Sequence, residues 1–151
     1  MLSAIQPPGM DATYTKPQIS SETMPSAIGG IATFTEKNLH LNKPIKLFKY
    51  PERFAEELEK IIPDIIGFSN YMWNSELSFS LAKRIKKIKP EIIIIMGGPN
   101  YPVNPNEQET FLRTHPEIDF YVTGEGEVAF ANLITNLINV NLKKESLQGE
   151  L

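Results

Sequence analysis

An α/β fold with a doubly wound parallel sheet is what this sequence predicts, on three observations. Apolar strand patterns alternate with helical patterns from about residue 44 onward. One segment, Ile92-Ile93-Ile94-Ile95-Met96, is apolar at every position, which calls for burial on both faces, as in the middle of a parallel sheet. The connections between strands are short and carry helices, the arrangement that joins parallel neighbours.

The elements follow in order. Leu2 to Gln6 reads as a first strand, cut off by Pro7-Pro8-Gly9, and residues 10–23 are polar and read as a long loop. Pro25 opens a helix running to about Asn38, in which Gly29, Gly30 and Ala32 permit close packing at some cost in helix propensity. Pro44 to Tyr50 alternates apolar residues with lysines, which suits a half-buried strand at a sheet edge. Pro51 opens a helix with the stripe Phe54, Leu58, Ile61, and Pro63 ends it.

Asp64 to Ser69 is a near-continuous apolar strand. Asn74 is the expected N-cap of the next helix, whose Leu77, Leu81, Ile85 and Ile88 recur at helical spacing. Lysines in its last turns complement the helix dipole, and Pro90 stops it. Gly97-Gly98-Pro99 breaks the isoleucine strand, and Asn106 with Glu109 resembles a capping box before a short helix. Ile118 to Val122 is the last strand, Gly124-Glu125-Gly126-Glu127 a tight loop, and Phe130, Leu133, Ile134, Leu137 and Ile138 mark the final helix. The domain is expected to span 1–140, with 141–151 a polar tail or linker toward a further domain.

Five strands in this order favour a three-layer, flavodoxin-like sheet of order 2-1-3-4-5. That order puts the half-polar second strand at an edge and the isoleucine strand inside. Ligands of such sheets sit beyond the carboxyl ends of the strands. Four loops are therefore the candidates: Pro7 to Tyr14, Ser69 to Trp73, Gly97 to Pro102, and Thr123 to Glu127.

Composition narrows the chemistry. The 151 residues are 41% hydrophobic, enough for one domain with a core. A net charge of −3 gives no basic footprint for nucleic acid, and the cluster Lys83, Arg84, Lys86, Lys87, Lys89 reads as a solvated helix face. With no cysteine, the chain has no disulfide, no thiolate-bound zinc and no iron–sulfur site of its own. His40 and His115 have no partner at metal-ligand spacing, so no metal ligands are named; His115 reads as a surface or capping residue. No apolar run approaches the roughly 20 residues needed to span a bilayer, and no basic-then-apolar leader is present. A cytoplasmic location, without nucleic-acid or membrane partners, is expected.

Ser69-Asn70-Tyr71-Met72-Trp73 sets small polar groups beside three large side chains. These line a pocket for a large flat ligand, or pack under a neighbouring loop or against another domain. Gly97-Gly98 lets a ligand approach the backbone, or simply makes a tight turn with positive φ. Gly124 to Ala129 matches G-x-G-x-x-A, but it follows the last strand and its two glutamates would repel a pyrophosphate. Glu125 or Glu127 is expected to satisfy the helix N-terminus instead. The Walker sequence, the flavodoxin phosphate loop, the receiver-domain aspartate and a Ser-His-Asp set are all missing, so no catalytic residue is named.

At these loops the chain resembles the cobalamin (B12)-binding domain that precedes many radical S-adenosylmethionine domains. The resemblance rests on Pro7-Pro8, Pro63-Asp64-Ile65-Ile66-Gly67-Phe68-Ser69, Gly97-Gly98-Pro99, and Ile118-Asp119 leading to Gly124-Glu125-Gly126-Glu127 and Phe130. It implies cobalamin as cofactor, with Ser69, Gly97 and Gly98 along its nucleotide tail or corrin. Asn70, Tyr71, Met72, Trp73, Pro99, Asn100, Tyr101, Gly124, Glu125 and Gly126 are the remaining candidate cofactor-binding residues. The family's S-x-L reads Ser69-Asn70-Tyr71 here, and no D-x-H-x-x-G follows the first strand to place a histidine below the cobalt.

The resemblance further implies a module that is not catalytic alone and whose partner is a radical S-adenosylmethionine domain. That partner would carry the iron–sulfur cluster and S-adenosylmethionine, since this chain lacks the C-x-x-x-C-x-x-C loop. The alternative is a cofactor-free structural or docking domain of the same fold, with Tyr71, Met72, Trp73 and Tyr101 on an interdomain surface. An independent small-molecule or nucleotide-binding protein is a third reading.

Overall fold

The computed structural model describes residues 2–3, 26–41 and 43–147. The rest of the expected first strand and the candidate loop Pro7 to Tyr14 lie outside them. The strands are β1 (Leu2–Ser3), β2 (Leu47–Phe48), β3 (Ile65–Ser69), β4 (Ile93–Gly97) and β5 (Phe120–Val122). The helices are α1 (Ser26–Asn38), α2 (Pro51–Leu58), α3 (Ser75–Ile88), α4 (Pro105–Thr114) and α5 (Gly126–Asn139), followed by a 3-10 turn at Lys144–Ser146.

The isoleucine run explains the middle of the sheet. β4 lies between β3 and β5, parallel to both, with Ile66 opposite Ile94, Phe68 opposite Met96 and Gly97 opposite Val122. Its residues alternate between two separate cores. Ile93 and Ile95 pack with Ala32 of α1 and with Phe130, Leu133, Ile134 and Leu137 of α5. Ile92, Ile94 and Met96 pack with Phe54 of α2 and with Ala82 and Ile85 of α3. Helices cover both faces, which is why the strand carries no polar position. β1 pairs in parallel with β2 and with β3, through Leu2 opposite Leu47 and Gly67.

Several local expectations are corrected. The second strand is Leu47–Phe48, shorter than Pro44 to Tyr50, and among the described residues it pairs with Leu2 and Ser3 of β1. Helix α2 ends at Leu58, so Ile61 and Ile62 lie beyond it and are exposed. Asn104, not Asn106, caps α4: its Oδ1 accepts from Asn106 N at 2.9 Å, and Pro105 takes the first helical position. His115, expected as a surface or capping residue, is the C-cap of that helix, with its ring lying against Phe79 and Phe111.

The basic face of α3 is not wholly solvated. Lys86 turns inward, donating to Ile92 O at 2.6 Å and pairing with the buried Asp119 carboxylate at 2.5 Å. Desolvation lowers the Lys86 ammonium's pKa, against the opposing pull of Asp119. The polar stretch after α5 also packs. Asn141 and Leu142 adopt φ of 52° and 61°, and Leu142 N donates to Leu137 O at 2.7 Å. The chain turns back, Lys144 pairs with the other oxygen of Asp119, and Leu147 enters the core. Residues 141–147 thus pack against the domain. No helix among the described residues is long and apolar enough to cross a membrane.

Candidate functional site

The carboxyl ends of β3, β4 and β5 open onto a cavity of about 440 Å³. Its floor is Gly67 to Ser69 of β3 and Ile95 to Gly97 of β4, and Val122 closes the β5 side. Tyr71, Gly98, Pro99, Gly124 and Gly126 of the loops form the rim, while Ala27, Ile28 and Ile31 of α1 make a wall. The sequence signals this wall only through the small residues Gly29, Gly30 and Ala32 of α1, which permit a close approach. A Cβ on Gly126 would come within 2.9 Å of Ile31 Cδ1, so glycine there lets the start of α5 meet α1.

Of the sequence-named candidates, Ser69, Tyr71, Gly97, Gly98, Pro99, Gly124 and Gly126 line this cavity. Asn70, Met72, Trp73, Asn100, Tyr101 and Glu125 do not. Asn70 points into the protein and is fully buried. Its Nδ2 donates to Asn100 O at 2.6 Å and to the Tyr121 hydroxyl at 3.0 Å, and that hydroxyl donates to Gly98 O at 3.0 Å. Asn100 N donates to Asn70 O at 3.2 Å. The loops after β3 and β4 are therefore locked together from beneath. Burial pushes the Tyr121 phenol up to about 12, so it stays neutral and keeps donating.

Gly98 serves the turn. Its φ is +134°, and a Cβ would lie 2.5 Å from Asn70 O, so backbone packing alone demands glycine. Tyr101 belongs to a different cluster. Its ring stacks on Tyr121 at 3.8 Å and meets Phe111 edge-on at 5.1 Å, which takes it off the rim surface. Tyr71 stacks on Trp73 at 4.6 Å with ring planes 10° apart, and Met72 between them in sequence is 83% exposed.

Two polar side chains face the cavity besides Tyr71. Ser69 is buried and its hydroxyl accepts from Asn74 Nδ2 at 2.9 Å. Glu127, in the first turn of α5, is the charged group of the lining among the described residues. Glu125, the N-cap residue of α5, makes no side-chain cap hydrogen bond. Apolar walls, exposed glycine backbone and two polar groups suit a large, mostly flat ligand bearing a few hydrogen-bonding atoms. No three His, Asp or Glu side chains gather at ligating distance among the described residues.

Comparison with known proteins gives the same region a family. The family model described as the B12 binding domain matches residues 23–134. A cobalamin-dependent radical SAM methyltransferase, TokK of Streptomyces tokunonensis, is 28% identical over 122 residues, which cover 77% of this chain and 17% of that protein. The 2-(S-pantetheinyl)-carbapenam-3-carboxylate methyltransferase of Streptantibioticus cattleyicolor is 36% identical over 72 residues, covering 48% and 10%. An uncharacterized methyltransferase of Pyrococcus horikoshii is 34% identical over 83 residues, covering 55% and 17%. The chain spans less than a fifth of the length of each of these relatives.

Proposed function

We propose a function from one premise: the chain belongs to the B12-binding domain family. It is similar to the cobalamin-binding region of cobalamin-dependent radical SAM methyltransferases. In this reading a corrinoid sits at the carboxyl ends of β3, β4 and β5. The observation that carries it is the cavity there, floored by strand ends and rimmed by Gly97, Gly98, Gly124 and Gly126. Glycines on both rim loops let a bulky ligand lie directly on backbone.

Ser69, Tyr71, Gly97, Gly98, Pro99, Gly124 and Gly126 are the residues proposed to touch the cofactor. Met72 and Trp73, exposed on the loop after β3, are proposed to shield the part of the corrin that projects beyond the cavity. Asn70, Asn100 and Tyr101 act through the loops they hold, and Glu125 precedes α5 as its N-cap residue. Bound cobalamin supplies a cobalt centre able to carry a methyl group. The chain's own part is to bind, orient and partly enclose it.

The flavodoxin-like order 2-1-3-4-5 belongs to the same reading, supported by the two-residue pairings of β1 with β2 and β3. So does a working unit in which this domain presents its cofactor to a radical S-adenosylmethionine domain in the cytoplasm. That domain would hold the iron–sulfur cluster and perform the chemistry, because no cysteine is available here. The domain is proposed to extend through Leu147, with a link to further chain beginning after it.

Titration of the purified chain with hydroxo- and methylcobalamin, followed in the visible spectrum, tests the proposal. A saturable spectral change is expected. No change at high micromolar protein, with no corrinoid co-purifying, would leave the cofactor-free docking domain as the better account.

A further inference from the structure

Ser69 stands at the carboxyl end of β3 and lines the cavity, 7% exposed. The hydroxyl has one partner among the described residues, Asn74 Nδ2 at 2.9 Å. The direction of that hydrogen bond is decided elsewhere. Asn74 Oδ1 lies 2.8 Å from Tyr71 N, a backbone N–H that can only donate. The amide oxygen must face Tyr71, so the amide NH2 must face Ser69. Ser69 Oγ is thereby the acceptor of the pair, and its own proton has no acceptor among the described residues.

The rest of the environment holds this arrangement still. Asn74 is 2% exposed and precedes α3, where its carbonyl accepts from Ser78 N at 2.9 Å. Ser78 Oγ donates to Ser69 O at 3.2 Å, fixing the serine backbone as well. The Asn74 side chain makes no cap hydrogen bond to α3; its two polar atoms are spent on Tyr71 N and Ser69 Oγ.

We infer that Asn74 is a positioning residue which sets the polarity of Ser69, making the serine hydroxyl a hydrogen-bond donor toward an acceptor atom of the bound corrinoid. The inference rests on the corrinoid reading and adds a specificity rule to it. The site selects ligands that place a hydrogen-bond acceptor against Ser69. Asn74 does this without touching the ligand.

Asn74→Asp is the discriminating variant. It keeps the shape and the acceptor for Tyr71 N, and its charge at the start of α3 is favourable. It replaces the donor facing Ser69 by an acceptor, which draws the serine proton away from the cavity. Hydroxocobalamin titrations in the visible compare the full chain with Ser69→Ala, Asn74→Asp and the double variant, and thermal denaturation checks each fold.

Each single variant is expected to weaken binding about tenfold. The double variant is expected to bind no more weakly than Ser69→Ala. An unchanged affinity in Asn74→Asp, or losses that multiply in the double variant, would overturn the inference while leaving the corrinoid site intact. A wild-type chain that gives no spectral change overturns the corrinoid reading itself, and this inference with it. If Asn74→Asp shows no melting transition, Asn74→Ala is read in the same cycle and is expected to behave likewise.

Discussion

Asn70 and Tyr121, 51 residues apart in the chain, are joined by a hydrogen bond of 3.0 Å that ties the loop after β3 to the last strand. The Tyr121 hydroxyl passes the link on to Gly98 O, so one phenol and one amide hold the loops after β3 and β4. Removing that phenol oxygen leaves the Gly98 carbonyl and one amide proton without their partner. Tyr121→Phe is expected to lower stability by about 1–3 kcal/mol in urea denaturation at neutral pH.

The same phenol gives a pH signature. Burial raises its pKa to about 12, above the ordinary value of 10.0, because the folded site favours the neutral form. Its contribution is therefore complete below pH 10 and is lost as the pH rises through about 12. The stability difference between wild type and Tyr121→Phe is expected to shrink over that interval. A difference independent of pH would show that the phenol is not held neutral by the fold.

Gly98 and Gly124 both have positive φ but differ in surroundings. A Cβ at Gly98 would lie 2.5 Å from Asn70 O, whereas at Gly124 it would meet nothing within 4 Å. Gly124→Ala is expected to cost only the backbone term, about 1–2 kcal/mol. Gly98→Ala adds a collision with buried backbone, and is expected to cost clearly more and to abolish cobalamin binding. Equal melting temperatures for the two would refute this account of the turn.

The stretch after α5 offers a third test. Leu147 is buried at 6% exposure among the residues of the α1–α5 core. Leu147→Ala is expected to cost about 2–3 kcal/mol, toward the low end for a leucine because the segment is short and able to relax. A free linker would register no change in the denaturation midpoint.

At the rim, Tyr71 lines the cavity and Met72 is 83% exposed. Met72→Ala is expected to leave stability within about 0.5 kcal/mol. Tyr71→Ala is expected to weaken cobalamin about tenfold through loss of an aromatic contact surface, read by the same visible titration. Unaltered affinity in Tyr71→Ala would place the ligand elsewhere.

The sequence by itself determined the layers of this protein. Ile92 to Met96 had to be buried on both sides, and they divide between two cores facing different helices. The strand end at Ser69, and to within one residue the end of the isoleucine strand, followed from the same patterns, and with them the side of the sheet where the cavity lies. Repetition is the reason: an element with one or two faces against a core writes that burial into every second, third or fourth residue, and the signal adds along its length.

Only the tertiary structure decided which loop residues face the cavity. Asn70 and Tyr71 are neighbours, yet one is sealed beneath the loop by Tyr121 and Asn100 and the other lines the cavity. Tyr101 left the rim for the ring of Tyr121, Lys86 left the solvent for Asp119, and α1 supplied a wall. Irregular loops have no period to average over. Asn70, Lys86 and Tyr101 are settled by partners 20 to 51 residues away, and such pairings exist only once the strands are side by side.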